Sequence, residues 1–376
     1  MNGWAEARNV LAVRLDSMGD VLMTGPAIQA LAESRQVTVL TSPAGAAAAA
    51  LLPGCSRVIT YEAPWMKATP PRSSNEPDHA SIERLRREGF DAAVIFTVFS
   101  QNPLPAATMC LLAGIPLRLA HCRENPYQLL TDWIEEPEPE TMRHEVKRQL
   151  DLVAAVGCTA SDDRMQVAIP REAEAHVRQT LRWLELNDRS SWAVVHPGAS
   201  APSRRYPAEL FAEACRELAV EHGVSLLFTG SEEERPLVEA IRDRMDAPSQ
   251  SLAGELSLGE MAALLAAAPL LIANNTGPVH LASAVGCPVV DLYALTNPQH
   301  TPWRVPHRVL NRDVSCRWCF RSTCPQGHHD CLRKVPPRDV VRAALELIGG
   351  TDILACAKSA STGKNACATR KTVENR

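Results

Sequence analysis

A tandem α/β fold of two parallel sheets is predicted by three observations. Short apolar runs alternate with longer amphipathic ones through both halves of the chain, which is the pattern of βαβ units. The 376 residues accommodate two domains of ordinary size, each with its own core. Polar, glycine-bearing loops recur directly after the apolar runs, where open parallel sheets hold their ligands.

In the first half, residues 10–15 (VLAVRL), 36–40, 57–61 and 92–96 read as strands, with helical stretches at 26–33 and 80–88 between them. Two irregular segments interrupt this half. Residues 63–79 hold four prolines, and residues 121–140 read as a second loop-like insertion. The pattern restarts near 165–172, so the halves divide as residues 1–168 and 169–350. In the second half, strands are expected at 192–196, 224–230, 269–274 and 288–293, and helices at 208–221, 232–245, 258–267 and 279–285. Ser257 and Glu260 have capping-box spacing at one helix start. The tail 351–376 is rich in Ala, Ser, Thr and Lys without an apolar period, and disorder is expected there.

Composition excludes several classes. A net charge of −4 argues against a nucleic-acid binder held by electrostatics. No apolar run reaches the roughly 18–20 residues of a membrane span, and Met1–Arg8 lacks the apolar run of a secretory signal. Most of the 12 cysteines are scattered singly, as in a reduced cytoplasmic protein.

The strand-end loops carry the chemistry. In NNTGPVH, Pro278 suits the first helical position, Gly277 the N-cap, and Gly286 a left-handed helix end. The free amides there form an anion site, to which Thr276 and His280 add donors. The loop 196–207 offers Ser200, Arg204 and Arg205, and the loop 228–234 places Glu232 near a helix start. Glu232 reads as a partner for a ribose hydroxyl or as an ordinary acid at a helix dipole. Amides, hydroxyls, guanidinium groups and one acid form an inventory for a nucleoside diphosphate. No Walker lysine motif or G-x-G-x-x-G fingerprint occurs, which disfavours a kinase or dehydrogenase. In the first half, RLDSMGD puts Asp16 and Asp20 at the first strand end. Asp20 reads as a general base or as a helix cap.

Cys316, Cys319, Cys324 and Cys331 have the spacing C-x2-C-x4-C-x6-C, with His328 and His329 inside it. A structural zinc or other metal centre, free or redox-active thiols, and disulfides are the three readings.

The segments VRLDSMGDVLMTGPAIQAL, HEVKRQLDLVAAVG, HPGASAPSRRYPAELFAEACREL and ANNTGPVHLASAVGCPVVDLY together resemble the glycosyltransferase family 9 heptosyltransferases, over roughly residues 10–348. The resemblance implies a GT-B arrangement, two Rossmann-like parallel-sheet domains facing across a cleft. Residues 1–168 would hold the acceptor and 169–350 the nucleotide sugar. It implies an inverting, metal-independent transfer of heptose from ADP-heptose to a lipopolysaccharide core or related glycolipid, at the cytoplasmic face of the inner membrane. Asp20 would be the base. Ser200, Arg204, Arg205, Glu232, Asn275, Thr276, Gly277 and His280 would meet the donor, and Asp16 and Arg123 the acceptor. No cofactor is required for catalysis, and the sequence has no D-x-D motif. Two departures stand out: Arg204-Arg205 replaces a Lys-Arg or Lys-His pair, and Asn275 stands where the family has Asp. Another nucleotide sugar or acceptor on the same fold, or a non-catalytic sugar-nucleotide-binding protein, are the alternatives.

Overall fold

A computed structural model of the chain describes residues 3–67, 69–136, 142–187 and 191–361, with side chains as far as residue 349. Its first half begins with α1 (Gly3–Glu6), β1 (Asn9–Arg14), α2 (Met18–Ala32), β2 (Gln36–Thr41), α3 (Pro43–Leu51) and β3 (Cys55–Thr60). It continues through α4 (Glu76–Glu88), β4 (Ala92–Ile95), α5 (Leu104–Leu112), β5 (Leu117–His121), β6 (Asp132–Ile134) and α6 (Glu145–Ala154). The strands form one parallel sheet of order β3-β2-β1-β4-β5-β6.

The second half follows α7 (Arg171–Trp183) with β7 (Trp192–His196), a 3-10 turn at Pro202–Arg204, α8 (Ala208–Val220), β8 (Ser225–Phe228), α9 (Arg235–Met245) and β9 (Gln250–Ser251). Then come α10 (Leu258–Ala267), β10 (Leu271–Asn274), α11 (Gly277–Val285), β11 (Val289–Leu292), β12 (His307–Leu310), α12 (Asp330–Arg333) and α13 (Pro337–Ser361). Its parallel sheet has the order β12-β11-β10-β7-β8-β9, the same winding as the first. Of the segment expected to be disordered, residues 351–361 belong to α13, and 362–376 lie outside the described residues.

Every strand expected from the apolar runs is present. The strands that escaped notice carry polar side chains. β5 contains Arg118 and His121, both buried. Arg118 hides its charge on the carbonyls of Pro116 (3.2 Å), Gln128 (2.8 Å) and Leu129 (2.7 Å), so an arginine sits in a strand without an exposed face. β6 lies inside the segment 121–140 that reads as a loop; residues 137–140 of that segment are outside the described ones.

Capping chemistry sets the helix starts that face the cleft. Ser257 caps α10, accepting from Glu260 N at 3.3 Å, as the capping-box spacing predicts. In α2 the cap is Ser17, and Asp20 is the third helical residue reaching back to Ser17 N at 3.3 Å. Pro26 lies inside α2 rather than at its start. In α11 the N-cap is Thr276, one residue earlier than expected, while Gly286 ends the helix at φ 84°.

One apolar core runs through both halves, joining Val21 and Leu22 of α2, Val146 of α6, Leu264 of α10 and Leu281 of α11. A second fills the outer side of the donor-half sheet around Phe211, Phe228 and Ile241, and a third packs Leu11, Val13 and Ile95 under α4 and α5. The halves meet where the first turns of α2 and α11 touch. A Cβ on Gly19 would lie 2.7 Å from the buried His280 ring and 3.6 Å from Gly277 Cα, so this approach needs glycine.

Candidate active site

The β1–α2 loop stands between two cavities at the carboxyl ends of the sheets. Asp16 lines one, of about 350 Å³, in the first half. Met18 lines the other, of about 500 Å³, whose remaining walls come from the second half. The first turns of α2 and α11 meet there, Gly19 against His280 and Gly277, and the start of α11 carries the partial positive charge of a helix N-terminus.

A buried charge network fixes the two aspartates. Arg14, fully buried, reaches Asp16 at 3.0 Å, Asp20 at 3.4 Å and Glu145 at 3.0 Å. Glu145 is shared with Arg148 at 3.6 Å, and Arg148 also pairs with Glu136. Two guanidinium groups thus face four carboxylates, and the surplus negative charge falls on the pair that shares Arg14. Burial lifts the Asp16 carboxyl to about 6; Arg14 opposes this and the Asp20 charge adds to it. Burial also acts to raise Asp20, but Arg14, His300 and the Ser17 hydroxyl (2.7 Å) outweigh it and hold that carboxyl at about 2. Asp20 is therefore ionised at any physiological pH. One Asp20 oxygen completes a capping box with Ser17 and the other faces Arg14.

The second half helps to set this network. Gln299 O accepts from Glu145 N at 3.0 Å, and Thr301 O meets the His144 ring at 2.8 Å. Trp303 stacks on His144 at 4.3 Å. The loop after β11 thereby grips the start of α6 and orients Glu145. Arg14, Glu145, Arg148 and His300 were missed from sequence. The signal available was an arginine inside an apolar strand and the i, i+3 pair Glu145–Arg148 in HEVKRQL.

On the donor side, Ser200, Arg205 and Thr276 line the larger cavity together with His196 and Pro278. Arg205 is anchored by its Nε to Ala199 O at 2.7 Å. Arg204 does not line that cavity; its charge acts on His280, His300 and Asp291, at the centre of the junction. His280 is buried, its ring kept neutral by desolvation first and His300 second, down to about 3.

Two expected donor contacts are corrected. Glu232 is outside the cavity lining, with a side chain 67% exposed and paired to Arg235 at 2.6 Å. The acids that line the cavity are Glu233 and Glu234; Glu234 lies 3.6 Å from His196 and accepts from Ser231 N at 3.0 Å. Gly198 gives it room, since any Cβ there would overlap the Glu234 carboxylate. Asn275 also turns away from the cavities. Its Nδ2 donates to Asp291 Oδ2 at 3.0 Å and to His300 O at 2.9 Å, and both partners are buried. A carboxylate at 275 would confront Asp291 at that distance, whereas the amide bridges it.

Burial lifts the Asp291 carboxyl to about 8, and its bond to Asn275 and the Arg204 charge only partly oppose this. A buried acid held above its unfolded value binds its proton more tightly in the folded state. Its contribution is complete below about pH 4 and is lost as pH rises to about 8, at up to about 1.4 kcal/mol per pH unit. Asp291→Asn is expected to flatten the decline of stability over this window. Denaturant midpoints at pH 5, 6, 7 and 8 check it; parallel declines in both proteins would contradict the assignment.

On the acceptor side, Asp16 lines the smaller cavity and accepts from the Gln101 amide. Arg123 is exposed and stacked over Phe99 at 4.7 Å, near that cavity but outside its lining. Arg72 is committed to Asp78. The four clustered cysteines are free thiols, and no three of their sulphurs lie within 4.8 Å of one another; the expected metal set is not formed. Cys316 instead faces His328 at 3.7 Å. Among the described residues, only Glu217, Glu221 and His222 meet that spacing, on the exposed end of α8.

Two similarly wound parallel sheets carry a cavity of about 500 Å³ at the strand ends of the second half and one of about 350 Å³ beside Asp16 in the first. The profile of glycosyltransferase family 9 (heptosyltransferase) matches residues 79–329, and the chain belongs to that family. It is 26% identical over 268 residues to lipopolysaccharide heptosyltransferase 2 of Escherichia coli K12, which covers 68% of this chain and 75% of the relative. Its fold matches the family 9 glycosyl transferase of Veillonella parvula with a TM-score of 0.75 at 19% identity, over 91% of this chain and 98% of that one. It also matches the E. coli heptosyltransferase WaaC solved with ADP, with a TM-score of 0.65 at 20% identity, over 90% and 99%.

Proposed function

We propose that this glycosyltransferase moves a heptose from ADP-heptose to a sugar hydroxyl of a lipopolysaccharide core or related glycolipid, with inversion and without a metal in the bond-making step. The observation that carries the reading is the contact between the first turns of α2 and α11, Gly19 against His280 and Gly277, beside the cavity lined by Ser200, Arg205, Thr276 and Pro278. The names of the relatives supply the sugar, and the ADP bound by the WaaC structure supplies the nucleotide. Residues 1–168 form the acceptor half and 169–350 the donor half.

In this reading Asp20 takes the proton of the acceptor hydroxyl as its oxygen bonds to the anomeric carbon from the face opposite the leaving group. The bond from that carbon to the diphosphate oxygen breaks, and both of its electrons leave with ADP. The amides at Gly277 and beyond, Thr276, Arg204 and Arg205 stabilise the growing phosphate charge from fixed positions. Glu234 or Ser200 meets the ribose. Asp20, held at about 2 in the free protein, becomes a better base once a diphosphate sits beside it and offsets the Arg14 field. The acceptor glycolipid is reached from the membrane surface; among the described residues no helix is long and apolar enough to cross a membrane.

A donor panel tests this reading. ADP-heptose at 100 times its dissociation constant is expected to stabilise the chain by about 2.7 kcal/mol, seen as a thermal shift. ADP-glucose should give less, and UDP- and GDP-sugars none. A shift with UDP- or GDP-sugars and none with ADP-heptose would overturn it.

A further inference from the structure

We infer that the cavity beside Asp16 receives an uncharged sugar ring of the acceptor and that Trp65 is the platform on which this ring stacks. The inference rests on the glycosyl-transfer reading above and adds the class of acceptor.

The cavity, about 350 Å³, is near the lower limit for a small-molecule site. Its walls differ in chemistry. Trp65, Met66, Ile95 and Phe96 give apolar surface, while Asp16 and Gln101 give hydrogen-bonding groups. A pyranose has the same division, with C–H groups on its faces and hydroxyls at its edge. Aromatic faces suit the first and carboxylate and amide oxygens the second.

Trp65 is held in place before any ligand arrives. It lies in the proline-rich segment between β3 and α4, where Met66 N bonds Ala63 O at 3.1 Å and Thr69 N bonds Met66 O at 3.0 Å. Tyr61 packs against its ring at 5.8 Å and 59°, and the Tyr61 hydroxyl bonds Asp78, which Arg72 also holds. The roof continues to Lys67, which bonds Ser322 of the cysteine-rich segment in the other half. That segment is tied to the phosphate loop, since Ser203 N donates to Ser322 O at 3.0 Å and Ser203 Oγ to Arg321 O at 2.7 Å. The acceptor roof is therefore completed by the donor half.

Charge decides the class of ring. The lining holds one carboxylate, Asp16, and one cation, Lys67, which is exposed at the rim and donates to the neutral Ser322 hydroxyl. The two buried cations that touch the lining are committed, Arg14 to Asp16, Asp20 and Glu145, and Arg148 to Glu136, Glu145 and Thr97 O. A ring bearing carboxylate or phosphate would bring a second anion against Asp16 without a buried counter-charge, which is costly. A neutral ring meets no such cost.

The test uses the full chain and two small probes, methyl heptoside (neutral) and methyl glucuronide (anionic), titrated by ligand-observed NMR. Methyl heptoside is expected to bind, with methyl glucuronide at least about tenfold weaker. Loss of the stacking surface in Trp65→Ala should raise the acceptor KM about tenfold, with kcat and ADP affinity little changed, and Trp65→Phe should restore most of it. Gln101→Leu gives a second variant on the opposite wall with the same direction of effect. Equal or tighter binding of the glucuronide, or an unchanged acceptor KM in Trp65→Ala, would overturn the inference. Failure of the wild type to bind ADP-heptose would instead overturn the donor reading, and the two results are separable because the NMR titration needs no donor.

Discussion

Asp20→Asn is expected to lower kcat by about 10²–10⁴-fold, the usual worth of a positioned general base, while the ADP-heptose affinity stays within about twofold. The amide keeps the size of the carboxylate and an oxygen that can accept from Ser17, so the start of α2 should remain capped. What it loses is the basic lone pair and the charge facing Arg14. Steady-state ADP release with and without acceptor, together with a donor titration, checks the result. An Asp20→Asn enzyme with near-normal kcat would move the base elsewhere, and Asp16, raised to about 6 by burial against the pull of Arg14, is the group that geometry would then favour. A loss confined to donor affinity would make Asp20 a binding residue.

Arg14→Met is expected to cost about 3–5 kcal/mol of stability at pH 7, the range for removing one partner of a buried ion pair. Its guanidinium is 0% exposed and serves three carboxylates, two of them nearly or fully buried, and methionine fills the volume while leaving those charges uncompensated. The sign with pH is distinctive. Without the cation, burial and mutual repulsion raise all three carboxyl groups above their unfolded values, so the folded state gains protons that the unfolded chain does not hold. Stability should recover as pH falls toward about 4 and worsen as it rises. Urea denaturation at pH 5 and pH 8 reads both effects. A loss of less than about 1 kcal/mol, or one independent of pH, would show that the network does not carry buried charge as described.

Much of the fold was readable because each strand buried on both faces appears as a continuous apolar run. VLAVRL, WAVVH and LLIAN are of this kind, and all three are strands. β5 was not readable, because Arg118 and His121 look like surface residues until the carbonyls that cover them are in place. The same limit governs the site. The motifs point to the loops that line the two cavities, since glycine, proline and capping residues act through local backbone geometry. They do not say which side chain of a loop faces the cleft. Glu232 and Glu234 are both acids beside the same helix start, and only packing against Gly198 and His196 turns the second inward. Asn275 stands in the phosphate-binding motif yet points to Asp291, sixteen residues away along the chain.

The sequence by itself determined that this chain has two α/β halves, that the polar loops follow the strands, and that one loop carries the aspartates and three others the amides, hydroxyls and guanidinium groups. These follow from periodicity and backbone chemistry, which act over a few residues. Only the tertiary structure decided that Arg14 and Glu145, 131 residues apart, share a buried charge network with Asp16 and Asp20. The same holds for the loop after β11, which orients Glu145 from the opposite half, and for Trp65, which lines the cavity beside Asp16. Electrostatic partners and cavity walls are set by distances through space, and a buried charge finds its counter-charge wherever packing brings one near.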